Sequence, residues 1–282
     1  MSDAVDMVRV GAWAGLGWLR HGFSRRAGGV STIYGGNSLN LGWTKEDEPG
    51  LVAENRRRFL RSVGGHLAGE DGQETVWRMV TLRQVHSAGV RLVRKGDGAL
   101  EGRLETAEGR AVWEGDGLIT DVPGVMLAVG TADCVPVLVV DGVRRAVGAF
   151  HAGWRGTVAG IVGAGVAAMQ EEYGSRVEDL RAAVGPSIGA CCYAVGEEVR
   201  GAFGARFGYA EELFREVEGA MYVDLWEANR RQLLEAGLTA GQIEVVGECT
   251  ACSRDAGGER RYFSHRAERG VAGRMLSAVG VV

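Results

Sequence analysis

The chain has 282 residues, with 32 Lys and Arg against 36 Asp and Glu, a formal net charge of −4; 46% of its residues are hydrophobic and 24% charged. These proportions belong to a globular protein, and a mildly acidic chain without a basic block lacks the positive field that nucleic-acid or membrane-surface binding needs. No uninterrupted run of about 18 apolar residues occurs, so no membrane-spanning helix is expected.

The segment Met7–Leu19 is largely apolar, but it contains Arg9 and follows Asp3 and Asp6, the wrong charge for a secretory leader. Five cysteines, an odd number, then read as reduced thiols in a cytoplasmic protein. The 46 glycines are scattered among apolar runs and point to tight turns and close packing.

In chain order, a helix is expected near Glu54–Val63. Strands follow at Val76–Val85, Val90–Arg94, Gly117–Thr120, Val125–Gly130, Val135–Val140 and Ala146–Phe150. Val158, Ile161, Val162, Gly165, Val166 and Met169 recur at helical spacing, which predicts a helix from Val158 to about Tyr173, capped by Thr157 and Gly174. Further helices are expected over Glu197–Phe207 and from Asp224 to near Gly237, where Asp224 and Glu227 resemble a capping box. Several strands follow one another too closely for helical crossovers, so part of the sheet must be antiparallel. No linker or repeat divides the chain. The reading is an α+β protein, one domain over 1–282, with a mixed, partly antiparallel sheet flanked by helices.

Three of the five histidines, His86, His151 and His265, stand at strand ends, and Cys134 lies in Thr131-Ala132-Asp133-Cys134-Val135-Pro136, on a turn between two strands. Singly, each is an ordinary buried or surface residue. Together, His86, Cys134 and His151 supply two imidazoles and a thiolate, a set suited to zinc or copper that leaves a fourth, catalytic position open. The same residues also permit a metal-free reading in which Cys134 is a nucleophile activated by His86 or His151. Metal content separates the two.

His151 is followed by Gly153, Trp154, Arg155 and Gly156 and then the strongest helix, a strand–turn–helix junction at which Arg155 and free N–H groups suit an anion. Arg26, beside Gly28 and Gly29, is a second anion candidate. Gly163-Ala164-Gly165-Val166-Ala167-Ala168 mimics a dinucleotide fingerprint but lies inside a helix, so it reads as close packing. Cys249-Thr250-Ala251-Cys252 is a C-x-x-C without a partner pair, Cys191 and Cys192 read as structural, and Arg56-Arg57-Arg58 as a solvated helix face.

Taken in order, His21-Gly22-Phe23-Ser24, Gly28-Gly29-Val30-Ser31, Asn40-Leu41-Gly42, Gln84-Val85-His86, Asp116-Gly117-Leu118-Ile119-Thr120, the Thr131–Val137 stretch, His151-Ala152-Gly153-Trp154-Arg155-Gly156-Thr157, Gly185-Pro186-Ser187-Ile188 and Phe263-Ser264-His265-Arg266 with Gly273-Arg274-Met275 resemble the YfiH-like laccase-domain proteins, also called polyphenol oxidases or purine nucleoside phosphorylases. The resemblance implies zinc at His86, Cys134 and His151, with copper binding in vitro. Cys134, His86 and His151 are then the expected catalytic set, with Asp133 as a candidate acid/base group beside them, and Arg155, Arg26 and Asn40 are the expected substrate contacts. The implied reaction is cleavage of adenosine, inosine, guanosine or methylthioadenosine by phosphate to a free base and a ribose 1-phosphate, with adenosine deamination as a second activity. A cysteine hydrolase, or an editing hydrolase of peptidoglycan precursors, remains the alternative. Copper-dependent phenol oxidation is disfavoured, because five histidines are too few for several copper centres. The oligomeric state cannot be read from these residues.

Overall fold

In the computed structural model, which describes residues 5–68, 74–96 and 110–282, the strand Val135–Asp141 is buried at every position. Alternation of side chains explains why this run is apolar throughout. Leu138 and Val140 point into one core with Phe23, Leu127, Val129 and Val279, whereas Val135, Val137 and Val139 point into another with Ile161, Val162, Val166 and Met169. The strand is therefore sandwiched between a second sheet and a layer of helices.

Two large sheets result where the sequence anticipates one. The first runs in the order Met7–Val8, Leu19–Ser24, Met275–Val281, Val125–Thr131, Arg78–Val80, antiparallel except for its last pair. The second runs Ile243–Val245, Leu180–Val184, Val135–Asp141, Val147–Ala152, Gly117–Thr120, Val90–Leu92, antiparallel in the middle and parallel at both edges. Helix Pro49–Val63 covers the outer face of the first sheet, packing Phe59, Leu60 and Val63 on Met126, Ala128 and Ala278. Helices Ile161–Tyr173, Glu197–Arg206 and Leu225–Glu235 cover the second. The result is an α+β domain of helix, sheet, sheet and helix layers.

Local departures from the expected elements have local causes. The helix expected from Val158 is split: Gly160 adopts φ 83°, ending the short helix Trp154–Ala159 and starting Ile161–Tyr173. Thr157 thus lies inside the first piece and is not a cap; its hydroxyl accepts from Asn229 Nδ2 at 3.1 Å. Gly174 caps the second piece as expected. Asp224 accepts from the Glu227 N–H at 3.0 Å, but the Glu227 carboxylate turns to Arg230 and Arg231, so the box is half formed. Gly165 has the packing role inferred for it, since a Cβ there would lie 2.3 Å from the Phe150 ring. The strand anticipated over Val76–Val85 is reduced to Glu74–Val76 and Arg78–Val80, after which the chain leaves the sheet edge toward the site.

Candidate active site

Cys134 sits where the chain crosses from one sheet to the other, between Val125–Thr131 and Val135–Asp141. The crossing is tight, and Asp133 holds φ 93°, a left-handed conformation that few non-glycine residues adopt. Strand Val147–Ala152 pairs with Val135–Asp141 so that His151 faces Pro136, which puts the imidazole beside the thiol. His86 arrives on the loop after Arg78–Val80, with its Nε2 4.0 Å from the Cys134 Sγ.

Asp116, just before strand Gly117–Thr120, organises both histidines. Its carboxylate accepts from the N–H groups of Val85, His86 and Ser87 at 3.3, 3.0 and 2.6 Å, and from His151 Nδ1 at 2.9 Å. Its carbonyl accepts the His151 N–H at 2.7 Å. Burial opposes ionisation of this carboxyl, but the bonds from His151 and Ser87 prevail and hold its pKa well below the usual carboxylate range. The anion in turn fixes His151 with Nδ1 protonated, leaving Nε2 for the Cys134 side.

Burial alone would lower the His151 pKa, yet its bonds to Asp116 and Cys134 raise it to about 9. The Cys134 thiol is likewise pushed up by burial and pulled down more strongly by His151 and His86, to about 6. The ligand atoms of His86, Cys134 and His151 lie within 4.8 Å of one another. Gly153 makes that approach feasible: a Cβ at this position would come within 2.9 Å of both the Cys134 Sγ and the His86 ring.

The three side chains open into a cleft of about 710 Å³, a size that admits a nucleoside. Arg56, Arg83, Arg110, Arg155, Arg266 and Arg274 line it, and Asp133 is the one carboxylate among its described lining residues. Arg266 and Arg274 direct Nη1 to the carbonyls of Ala194 and Ala272, both at 2.7 Å, and among the described residues neither forms an ion pair. Arg155 is 59% exposed, lies over the Trp154 ring at 4.3 Å and approaches Glu198 at 3.6 Å. His265 and Tyr193 complete the outer wall.

Two residues expected to touch substrate are placed elsewhere. Arg26 forms an ion pair with Glu268 at 2.6 Å and packs over Phe263, while Asn40 is fully buried and bonded to Asp47, Gly42 and the Arg274 N–H. Neither lines the cleft; both brace the loops behind it. Asp133 does line it, but its oxygens already accept from the Thr250 hydroxyl and the Arg266 N–H, each at 2.7 Å. The Arg56-Arg57-Arg58 run is not uniformly solvated either: Arg57 and Arg58 pair with Glu54, whereas Arg56 lies over Trp43 at the cleft. Asp116, Arg56, Arg274 and Tyr193 were not singled out as functional from sequence; among these, a lone Asp opening a buried strand carried the clearest signal.

A half-buried thiol held between two imidazoles at the mouth of an arginine-rich cleft defines an enzyme site. A family model described as multi-copper polyphenol oxidoreductase laccase matches residues 20–282, and the chain belongs to that family. It is 38% identical over 275 residues to the purine nucleoside phosphorylase YlmD of Geobacillus stearothermophilus, covering 94% of each chain. It is also 38% identical over 191 residues to the adenosine deaminase RL5 of an unknown prokaryotic organism, covering 67% of this chain and 69% of the other. The crystal structure of the hypothetical protein YfiH from Bacillus licheniformis matches with a TM-score of 0.84 at 35% identity, over 99% of this chain and 98% of that one. The chain is thus an enzyme whose relatives carry phosphorylase and deaminase names. Among the described residues, no helix is long and apolar enough to cross a membrane.

Proposed function

We propose that the protein is a zinc-dependent purine nucleoside phosphorylase, acting on adenosine, inosine, guanosine or methylthioadenosine. The observation that carries this reading is the union, in one cleft, of the His86–Cys134–His151 cluster with six arginines.

The donors suit the metal. Two imidazole nitrogens and a sulfur disposed toward incipient thiolate, with His151 oriented from behind by a carboxylate, form a three-ligand set that leaves one position open. When bound, zinc supplies Lewis acidity at that position, and copper can occupy the same donors in vitro. Among the described residues a single donor cluster contains histidine, which does not make the several copper centres of a phenol oxidase.

In phosphorolysis a phosphate oxygen forms a bond to the ribose C1′ while the bond from C1′ to the purine nitrogen breaks, its electron pair leaving with the base. Positive charge develops on the sugar and negative charge on the purine, so the reaction needs an anion held at the sugar and a donor at the base. Arg266 and Arg274, with Arg155 at the rim, hold the phosphate. The expected helix-terminus contribution is smaller, because the helix after Gly153 is a single short piece. Tyr193 keeps its proton, since burial and then the nearby Cys134 push its phenol up to about 12, and it serves as a donor to the departing base. Asp133 acts as a positioning residue, holding Arg266 and Thr250 against the turn that presents Cys134.

The relative named as an adenosine deaminase supports a second activity at the same site. Incubation of the purified protein with adenosine, with and without phosphate, tests both: adenine and ribose 1-phosphate formed with phosphate support phosphorolysis, and inosine formed without it supports deamination. Adenine formation independent of phosphate, or none at all, overturns the main reading. We take the setting as cytoplasmic, since an odd number of cysteines reads as reduced thiols.

A further inference from the structure

Four cysteines that the reaction does not use converge behind the cleft. Cys191 and Cys192 lie on the turn that follows strand Leu180–Val184, and Cys249 and Cys252 on the loop that follows Ile243–Val245. These two strands are parallel neighbours, so both loops emerge at the same sheet end. The C-x-x-C that lacks a partner pair in the sequence acquires one in Cys191-Cys192, and the four Sγ atoms all lie within 4.8 Å of one another.

From this geometry we infer a second metal site, a closed tetrathiolate centre for zinc formed by Cys191, Cys192, Cys249 and Cys252. Four sulfurs each about 2.3 Å from a central ion stand about 3.8 Å apart. Cys191 and Cys252 are 3.7 Å apart, close to that edge length and far beyond the roughly 2.05 Å of a disulfide.

The surroundings match a charged thiolate cluster in two further respects. The Gly189 N–H donates to the buried Cys249 Sγ at 3.3 Å, the kind of backbone bond that stabilises a ligating thiolate. Four thiolates around a divalent ion carry a net charge of −2, and cations are placed to offset it. Arg260 and Arg254 donate to the carbonyl of Ala251, between Cys249 and Cys252, at 2.7 and 3.4 Å; Arg215 donates to that of Ala190, next to Cys191, at 2.8 Å.

With four protein ligands the centre has no open position, so its role is structural. It ties together the loop that carries Tyr193 into the cleft and the loop whose Thr250 holds Asp133. The two loops are already laced by the Ser187–Cys249 bridge and by the bond from Thr250 N–H to the Ser187 carbonyl, at 3.0 Å. The metal adds a cross-link between segments about 60 residues apart, which restricts the unfolded chain as a disulfide would.

Metal counting on the full-length protein, purified under reductant and reconstituted with zinc, tests the inference without reference to activity. Cys134→Ala retains one tightly held zinc per chain, and the double variant Cys191→Ser/Cys252→Ser loses one relative to wild type. Cobalt substituted into Cys134→Ala gives the intense visible and charge-transfer absorption of a tetrahedral tetrathiolate. A chelator lowers the melting temperature of Cys134→Ala but does not further lower that of a triple variant also carrying the two serines. Should the double variant fail to fold, the exposed Cys252→Ser alone gives the same readout. A Cys134→Ala protein that binds no zinc, a serine variant with undiminished zinc, or a disulfide among these four cysteines in air-protected protein overturns it.

Discussion

His151 Nδ1 and Asp116 Oδ1 stand 2.9 Å apart, both side chains almost wholly removed from solvent, and the same carboxylate anchors the backbone of His86. One anion therefore orients the His151 imidazole and anchors the backbone that carries the His86 ring. Asp116→Asn keeps the shape but cannot accept as an anion from His151 and three N–H groups together. We expect zinc affinity and kcat/KM for phosphorolysis to fall on the order of 10- to 100-fold, as for other groups that orient a metal-bound histidine. Zinc titration and steady-state kinetics of the folded variant check this, and unchanged metal affinity would remove Asp116 from the role.

The thiol, imidazoles and TADC turn were legible in the sequence because residue type alone proclaims their chemistry. Asp116 was not, since its partners lie 30 and 35 positions away and only the pairing of two strands brings them together. Stacking of two sheets was hidden for a related reason: Val135–Asp141 is covered on both faces, so no polar alternation marks which side is which. Helical periodicity ran straight through Gly160, whose left-handed backbone breaks the helix without disturbing the apolar spacing. Arg26 and Asn40 sit in motifs shared with the family, yet those motifs brace loops in this fold; a motif marks a constrained position without saying whether fold or reaction constrains it.

That distinction separates two arginines experimentally. Arg266 borders the cleft and, among the described residues, forms no ion pair, whereas Arg26 pairs with Glu268 away from it. Arg266→Gln should raise KM for phosphate on the order of 10- to 100-fold, the loss of a charge-assisted bond of about 1.5–3 kcal/mol. Arg26→Gln should leave KM for phosphate within about twofold and lower the melting temperature by several degrees, because it strands a largely buried carboxylate. Phosphate-dependence curves and thermal melts of the two variants decide the matter; a raised phosphate KM in Arg26→Gln would return that residue to the site.

Metal removal should expose an unusual thiol. With zinc chelated, alkylation of Cys134 by iodoacetamide should rise with pH through a midpoint near the thiol's value of about 6 and then level off, while an ordinary cysteine still gains rate through about 8.5. The thiolate owes this to His151 and His86, so His151→Gln should move the midpoint upward. Zinc added back should protect Cys134. Mass-spectrometric rates for the Cys134 peptide measure all three. An alkylation profile centred near that of free cysteine would show that the imidazoles do not hold the thiolate, and a covalent substrate adduct in metal-free, fully active protein would favour the hydrolase alternative.

His21 makes a separate prediction, about stability. Its ring is buried against Trp13 and its Nε2 accepts the Val10 N–H at 3.0 Å, so the neutral imidazole is built into the fold. Burial first, and Arg9 second, depress its pKa from 6.5 to about 4. The unfolded chain therefore takes up a proton as pH falls through about 6.5, whereas the folded protein resists until about 4. Stability is fully present above that window and falls as pH drops across it, by an order-of-magnitude 3 kcal/mol if each pKa unit is worth about 1.4 kcal/mol. His21→Gln offers Val10 an acceptor that does not titrate. It should cost about 1 kcal/mol near neutrality through the lost ring contact, yet flatten the fall in melting temperature between about pH 6.5 and pH 4. Equal pH slopes for the variant and wild type would mean that His21 charges without penalty, and that acid sensitivity arises elsewhere in the fold.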